Sequence, residues 1–351
     1  MLRPDLNKLP SYVPGARDAS AIKLSSNEAA HPPLPAAAEE MALAAKQANR
    51  YPDMGVTELR QALAQHLGLG FDQVAVGNGS SALCQQLVQI TCQPGDEVVF
   101  PWRSFEAYPI FAHVVGADPV AVPLTDDHRV DLRAMARAVT DKTRLIFVCN
   151  PNNPTGTAIT TNEFREFMQQ IPDNVVVGLD EAYFEYNQAG STPVGTEVVH
   201  EYGNVIALRT FSKAYGLAGV RVGYAFGPAA LIDALLKVAI PFSVNAVGQK
   251  GALASLKAQN ELNERVQEVI AERELVQHAL RGFGAAESQA NFVWLPAENL
   301  LSTLEATPQD IAQRLSKDGV LVRAFAEGIR ITVTTAEERE ELLSAWRRIS
   351  A

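Results

Sequence analysis

Seven short apolar runs, QVAVG, EVVFP, ADPVAVPL, RLIFVCN, NVVVGLDE, NVIALRT and RVGYAFG, recur between residues 73 and 227, separated by segments of helix length. Runs this rich in Val and Ile, without polar alternation, belong to strands buried on both faces. That environment occurs where helices cover both sides of a parallel sheet. The pieces between them, such as SALCQQLVQI and TNEFREFMQQI, have the length and periodicity of crossover helices. Residues 46–248 therefore predict a doubly wound α/β domain with a mostly parallel sheet.

A chain of 351 residues exceeds what one hydrophobic core usually supports, so a second, smaller unit is expected. After a Pro-rich entry segment (residues 1–35), PAAAEEMALAAKQANR reads as an Ala-rich helix that stops before Pro52. A second helix begins at Thr57, carries Leu59, Ala62, Leu63 and Leu67 at helical spacing, and closes at Gly68 to Gly70. Beyond Pro241 the composition turns to long Ala-, Glu- and Leu-rich helices (residues 249–282). ANFVWLP, GVLVRAF and GIRITVT follow as strands, and then a terminal helix. Residues 1–45 and 249–351 are expected to form a small α+β domain.

Forty acidic residues against thirty Lys and Arg give a net charge of −10, which repels nucleic-acid backbones and acidic membrane surfaces. Neither nucleic acid nor membrane is an expected partner; the Arg347-Arg348 pair reads as a solvated helix end. Cys84, Cys92 and Cys149 show no CxxC spacing, and the six histidines show no HExxH, so neither a disulfide framework nor a metal centre is expected. The N-terminus lacks an apolar leader core, and no stretch approaches the roughly 20 apolar residues that span a bilayer. A soluble, cytoplasmic protein is the expectation.

In open parallel sheets, function collects where strands run out into loops. Five such ends carry unusual residues. VAVGNGSSALCQQL runs a strand through Gly77, Gly79, Ser80 and Ser81 into a helix, a ready phosphate site, with a simple helix cap as the plainer reading. Its Gly77-x-Gly79-x-x-Ala82 spacing also matches a degenerate dinucleotide fingerprint, although Asp96 and Glu97 precede the next strand, where a ribose-binding acid belongs at its far end. IFVCNPNNPTG empties into Asn150, Asn152, Asn153, Pro154, Thr155 and Gly156, denser in turn formers than a turn requires. NVVVGLDEAYFEY ends in Asp180, Glu181 and Tyr183; a carboxylate at the mouth of a buried strand needs a cation or donor, unless it is a solvated loop acid.

NVIALRTFSKAYGLAGVRVGYAFG sets Thr210, Ser212, Lys213 and Arg221 between apolar strands. Partial burial beside other cations lowers a lysine pKa and exposes a nucleophilic amine, the alternative being an ordinary solvent-facing lysine. GVLVRAFAEGIRITV places Arg323 and Arg330 in strands. An arginine fork grips a carboxylate with two parallel bonds, each contributing about 1.5 to 3 kcal/mol, the alternative being a β-edge arginine.

Taken in order, Gly79-Ser80-Ser81, Asn153-Pro154-Thr155-Gly156, Asp180-x-x-Tyr183, Ser212-Lys213, Arg221 and Arg330 resemble the fold type I aminotransferases over essentially the whole chain. KLSSNE, NRYPD, NPNNPTG, DEAY, RTFSKAYGLAGVRVGY and RITV resemble the histidinol-phosphate and aromatic branch of that family. WRSFEAYP, LCQQLVQ and QANFVWLP are most similar to the actinobacterial aromatic amino acid (phenylalanine) aminotransferases.

The resemblance implies a fold type I architecture and a pyridoxal 5′-phosphate cofactor. It also implies transfer of the amino group of an aromatic L-amino acid (Phe, Tyr or Trp) to a 2-oxo acid such as 2-oxoglutarate, in two half-reactions. It gives Lys213 the covalent hold on the cofactor aldehyde and proton transfer between Cα and C4′, and gives Asp180 the task of keeping the pyridine nitrogen protonated. Asn153 and Tyr183 would hydrogen-bond the ring 3′-oxygen, Phe105 would stack on the ring, and Gly79, Ser80, Ser81, Thr210, Ser212 and Arg221 would surround the phosphate. Tyr51, in NRYPD, would reach the phosphate of the neighbouring subunit, so a homodimer is expected. Arg330 would clamp the substrate carboxylate, with Asn27 in the same substrate site, and Tyr12, Phe105 and Phe325 are candidates for the side-chain pocket. Arg323 matches a position that meets the substrate phosphate in histidinol-phosphate enzymes, which keeps that activity as the alternative. An NAD-dependent dehydrogenase, suggested by the Gly77 to Ala82 segment, and a silent binding protein are the more distant rivals.

Overall fold

The computed structural model describes Leu9 and residues 18–350. After a two-residue strand β1 (Ile22–Lys23), the seven apolar runs become β2 (Val74–Gly77), β3 (Glu97–Trp102), β4 (Asp118–Pro123), β5 (Thr143–Cys149), β6 (Val176–Asp180), β7 (Val205–Thr210) and β8 (Gly223–Phe226). All seven join one sheet, in the order β2-β8-β7-β6-β5-β3-β4. Successive strand residues point to opposite faces, and each face has its own apolar layer. Val98, Leu145, Phe147, Ile206 and Leu208 pack with Leu83 and Leu87 of a helix, whereas Val99, Ile146, Val148, Val177 and Ala207 belong to the core on the other side. For six of the runs the apolar composition therefore reflects burial from both directions; the edge strand β4 is the exception, with Asp118, Ala121 and Pro123 exposed.

β8 departs from the expected parallel arrangement and runs antiparallel to both its neighbours, β2 and β7. A return to parallel requires a helix-length crossover. The connecting segment 211–222 holds only the single 3-10 turn Ala218–Val220. The other strands share one direction, so β2, β5, β6 and β7 deliver Gly77, Cys149, Asp180 and Thr210 to the same edge of the sheet.

Helix α1 (Pro35–Ala45) is shorter than its sequence run, because Lys46 to Ala48 close in tighter i to i−3 turns. Helix α2 (Thr57–Leu67) ends on Gly68 at φ +71°, as the glycine predicts. The run 249–282 is two helices, Ala246–Lys257 and Gln259–Leu280. GVLVRAF also divides. Its first half, β10 (Val320–Leu321), pairs in parallel with β1, while β11 (Arg323–Phe325) joins β12 (Gly328–Thr332) and β9 (Phe292–Pro296) in an antiparallel sheet ordered β11-β12-β9. Among the described residues, no helix is long and apolar enough to cross a membrane, and no cluster of His, Cys, Asp and Glu could hold a metal ion.

Candidate active site

The strand ends open on a cavity of about 280 Å³. It lies between the large sheet, the β11–β12 hairpin and the segment that follows β1. Ser80, Ser81, Phe105, Asn153, Asp180, Tyr183, Thr210, Ser212, Lys213, Arg221, Arg323, Phe325, Arg330 and Asn27 all line it. Side chains drawn from positions 27 to 330 of the chain thus converge on one small space.

One end of the cavity has the chemistry that suits an anion. Helix α3 (Ser80–Thr91) starts there, and its first-turn N–H groups carry the positive end of the helix dipole. Two glycines permit the close approach. A Cβ on Gly79 would overlap the Arg221 guanidinium, and one on Gly223 of β8 would overlap the Ser80 backbone nitrogen. Arg221 Nη1 donates to Ser212 Oγ at 3.3 Å and to the Ala218 carbonyl at 3.2 Å. The Ser212 N–H donates to Thr210 Oγ1 at 3.1 Å. A guanidinium, a helix N-terminus and several hydroxyls in one corner suit a phosphate group.

Asp180, at the end of β6, is buried. The Tyr108 hydroxyl donates to its Oδ2 at 2.6 Å, and the Ala182 N–H to its Oδ1 at 3.2 Å. Burial raises the carboxyl above its ordinary value, while these two hydrogen bonds and the Lys213 charge oppose the shift. The Lys213 ammonium donates to the Ser26 carbonyl at 3.3 Å and lies 5.8 Å from the centre of the Tyr183 ring. Burial first, then the positive charges of Arg330 and Arg221, lowers its amine to about 7. A lysine so placed is neutral in a useful fraction of molecules near neutral pH, which is the state that attacks a carbonyl.

The opposite wall comes from the β11–β12 hairpin. Arg330 Nη1 donates to Asn153 Oδ1 at 2.5 Å, and its Nη2 to the Ser25 carbonyl at 2.8 Å. Asn27 Nδ2 donates to the Tyr183 hydroxyl at 2.8 Å, and Thr332 Oγ1 to Asn27 Oδ1 at 3.1 Å. Arg323 is ion-paired with Glu106 at 2.9 Å. Phe105 and Phe325 supply the aromatic surface.

Two of the predicted residues are not among those lining the cavity. Tyr51 lies outside this cavity; it is 83% exposed and stacks on Phe242 with ring centres 4.6 Å apart. Tyr12 lies outside the described residues. Contributors that the sequence reading does not single out include Tyr108, Glu106 and Ser104, whose hydroxyl donates to Asn152 Oδ1 at 2.8 Å, and Ser25 and Ser26, whose carbonyls accept from Arg330 and Lys213. The signal available for the first three was WRSFEAYP, where a serine, an acid and a tyrosine follow a buried strand within a few residues.

The dinucleotide reading of Gly77 to Ala82 fails on topology. Gly77 ends the edge strand of the sheet, whose neighbour β8 is antiparallel, and the strand after α3 lies across the sheet between β5 and β4. A dinucleotide fingerprint needs adjacent parallel strands joined by its helix.

The chain belongs to the class I and II aminotransferases, the model of that family matching residues 19–345. Among individual proteins, it is 64% identical to an aromatic amino acid aminotransferase of Corynebacterium diphtheriae, covering 99% of this chain and 98% of that one. It is 61% identical to the aromatic amino acid aminotransferase of Corynebacterium glutamicum over the full length of both. A crystal structure of histidinol-phosphate aminotransferase from Sinorhizobium meliloti with pyridoxal-5′-phosphate superimposes with a TM-score of 0.87 at 29% identity, covering 99% and 97% of the two chains.

Proposed function

We propose that this protein is a pyridoxal-phosphate-dependent aminotransferase that moves the amino group of an aromatic L-amino acid (Phe, Tyr or Trp) to a 2-oxo acid such as 2-oxoglutarate. The reaction class rests chiefly on one juxtaposition: the amine of Lys213, lowered to about 7, opens on the same cavity as the buried Asp180 carboxylate and the anion corner around Arg221. The relatives named for aromatic amino acids, at 61% identity and above, support the substrate class.

When bound, pyridoxal 5′-phosphate supplies an aldehyde that takes up amino groups and a ring that accepts electrons from the substrate Cα. The chain provides the rest. Lys213 would hold the aldehyde and, once released from it, would take up and return a proton at the substrate Cα. Asp180 would keep a proton on the ring nitrogen, and its two protein donors hold the carboxylate in place for that role. Asn153 and Tyr183 would bond the ring 3′-oxygen, Phe105 would stack on the ring, and Ser80, Ser81, Thr210, Ser212 and Arg221 would bind the phosphate. Arg330 grips the substrate carboxylate. Burying an aromatic side chain between Phe105 and Phe325 yields about 1.5 to 3 kcal/mol, enough to favour it over a small one by roughly 10- to 150-fold.

We further propose a homodimer in which Tyr51 reaches the neighbouring cavity, and a division into a large domain (46–248) and a small one (1–45 with 249–351). Histidinol phosphate remains the second reading, because Arg323 stands in the cavity wall. The test is kcat/KM for phenylalanine and histidinol phosphate measured side by side. The expected result is a preference for phenylalanine; a preference of about tenfold or more for the phosphate ester, roughly 1.4 kcal/mol, overturns the ranking. The visible absorbance of a lysine-bound pyridoxal should vanish in Lys213→Ala.

A further inference from the structure

Arg323 and Arg330 are directly opposite each other in the antiparallel β11–β12 pair. Opposite residues of such a pair leave the sheet on the same face, and both guanidinium groups line the cavity. Like charges in register repel. Arg323 meets an acid: its Nη2 lies 2.9 Å from Oε2 of Glu106, which precedes helix α4 (Ala107–Val115). The side chains are 14% and 31% exposed, so the pair belongs to the cavity wall and not to bulk solvent. Arg103 and Glu327 repeat the arrangement nearby with two bonds of 3.1 Å. Phe325 lies among these groups, its ring centre 5.3 Å from the Arg103 guanidinium carbon and 5.4 Å from that of Arg323.

We infer that Glu106 is a specificity-determining residue: by occupying Arg323 it converts a wall suited to phosphate into one suited to an uncharged ring, and it disfavours amino donors with a dianionic tail. This deepens the functional reading above and rests on it. An arginine fork grips a phosphate with two parallel bonds, and a phosphomonoester carries about −1.5 to −2 charges at neutral pH. To reach Arg323 such a tail must either displace Glu106, leaving a carboxylate in the wall without its cation, or lie against it and be repelled. Both routes are costly in a partly desolvated site. An aromatic tail meets Phe105, Phe325 and the methylene stem of Arg323, and leaves the pair intact. A distal carboxylate, as on 2-oxoglutarate, carries a single charge and meets less of this repulsion than a phosphomonoester does.

The experiment measures kcat/KM for phenylalanine and histidinol phosphate on the holoenzyme and on Glu106→Gln. The ratio of phosphate ester to phenylalanine is expected to rise by at least about tenfold in the variant. Adding Arg323→Gln to Glu106→Gln should abolish that gain. A ratio unchanged within about twofold, or a gain that survives the loss of Arg323, overturns the inference. Should Glu106→Gln fail to fold, Glu106→Asp, whose shorter side chain lengthens the pair, must shift the ratio in the same direction by a smaller factor. A wild type that prefers histidinol phosphate would refute the functional reading instead, and the change from wild type to variant would still report on Glu106.

Discussion

Tyr108 donates its phenolic hydrogen to Asp180 across 2.6 Å, and both residues are buried. The phenol is itself held by stacking flat on Phe147, with ring centres 4.4 Å apart. The carboxylate thus enters the cavity with one oxygen held by a side chain from α4 and the other by the backbone of its own loop. A tyrosine helps to keep Asp180 ionised against the effect of its burial.

Tyr108→Phe retains the stacking and removes only the donor. A hydrogen bond to a charged group contributes about 1.5 to 3 kcal/mol, so cofactor affinity and kcat should each fall by roughly 10- to 100-fold. The fold should persist. Cofactor dissociation and steady-state turnover of phenylalanine check this, and wild-type values for both would show that Asp180 needs no such partner.

Lys213 predicts a pH dependence whose direction can be worked out. With the folded amine lowered to about 7, the rate at which the apoprotein captures pyridoxal phosphate should level off above that pH. An ordinary lysine, near about 10.4, would still be gaining at pH 9. The stability consequence has a definite sign. Between those two values the unfolded chain binds the proton and the folded chain does not, so apoprotein stability rises with pH across that window, and the full cost of burying the amine is felt below about 7. Lys213→Met should therefore be more stable than wild type near pH 6, with the difference fading toward pH 10. Denaturant midpoints of the two apoproteins across this range decide it; a constant difference would count against the lowered amine.

Gly79 has φ +81° and ψ 158°, a region that only glycine occupies without strain. Gly79→Ala should cost about 1 to 3 kcal/mol of stability from the backbone alone. Its methyl group also claims space held by Arg221, so the anion corner loses its cation. Pyridoxal phosphate should then lose more affinity than pyridoxal without the phosphate. An equal loss for both would mean that the corner does not bind the phosphate.

How far the sequence reached depends on how local each signal is. Burial on both faces is written into the composition of the central strands, so the sheet is legible from runs such as RLIFVCN, whereas the exposure of the edge strand β4 is not. Nor is the direction of β8, because RVGYAFG reads alike in either orientation and only the short connection after Thr210 decides it. Asp180 and Lys213 stand out in the sequence because each is a charged residue set at or just beyond the end of an apolar run. Tyr108 was missed because a tyrosine among apolar neighbours in a helix has the signature of a core residue, and its partner is 72 residues away. The Glu106–Arg323 pair spans 217 positions, and nothing local to either residue announces the other.

Tyr51 offers the sharpest test of the assembly. It is 83% exposed and stacked on Phe242, and it stands apart from the cavity of its own chain. If it serves the neighbouring subunit, as proposed, Tyr51→Phe should preserve the stacking and the dimer while weakening cofactor binding by roughly 10- to 100-fold through the lost hydroxyl. Mixing supplies the control. A Lys213→Ala chain cannot hold the cofactor covalently but still carries Tyr51, whereas a Tyr51→Phe chain carries Lys213. In a heterodimer of the two, the Tyr51→Phe subunit receives its tyrosine from its partner, and one complete site is rebuilt from two defective chains. Dissociation and reassociation of an equimolar mixture should therefore restore tight cofactor binding to a fraction of the sites. A mixture that shows only the average of its two components would mean that Tyr51 does not cross between subunits.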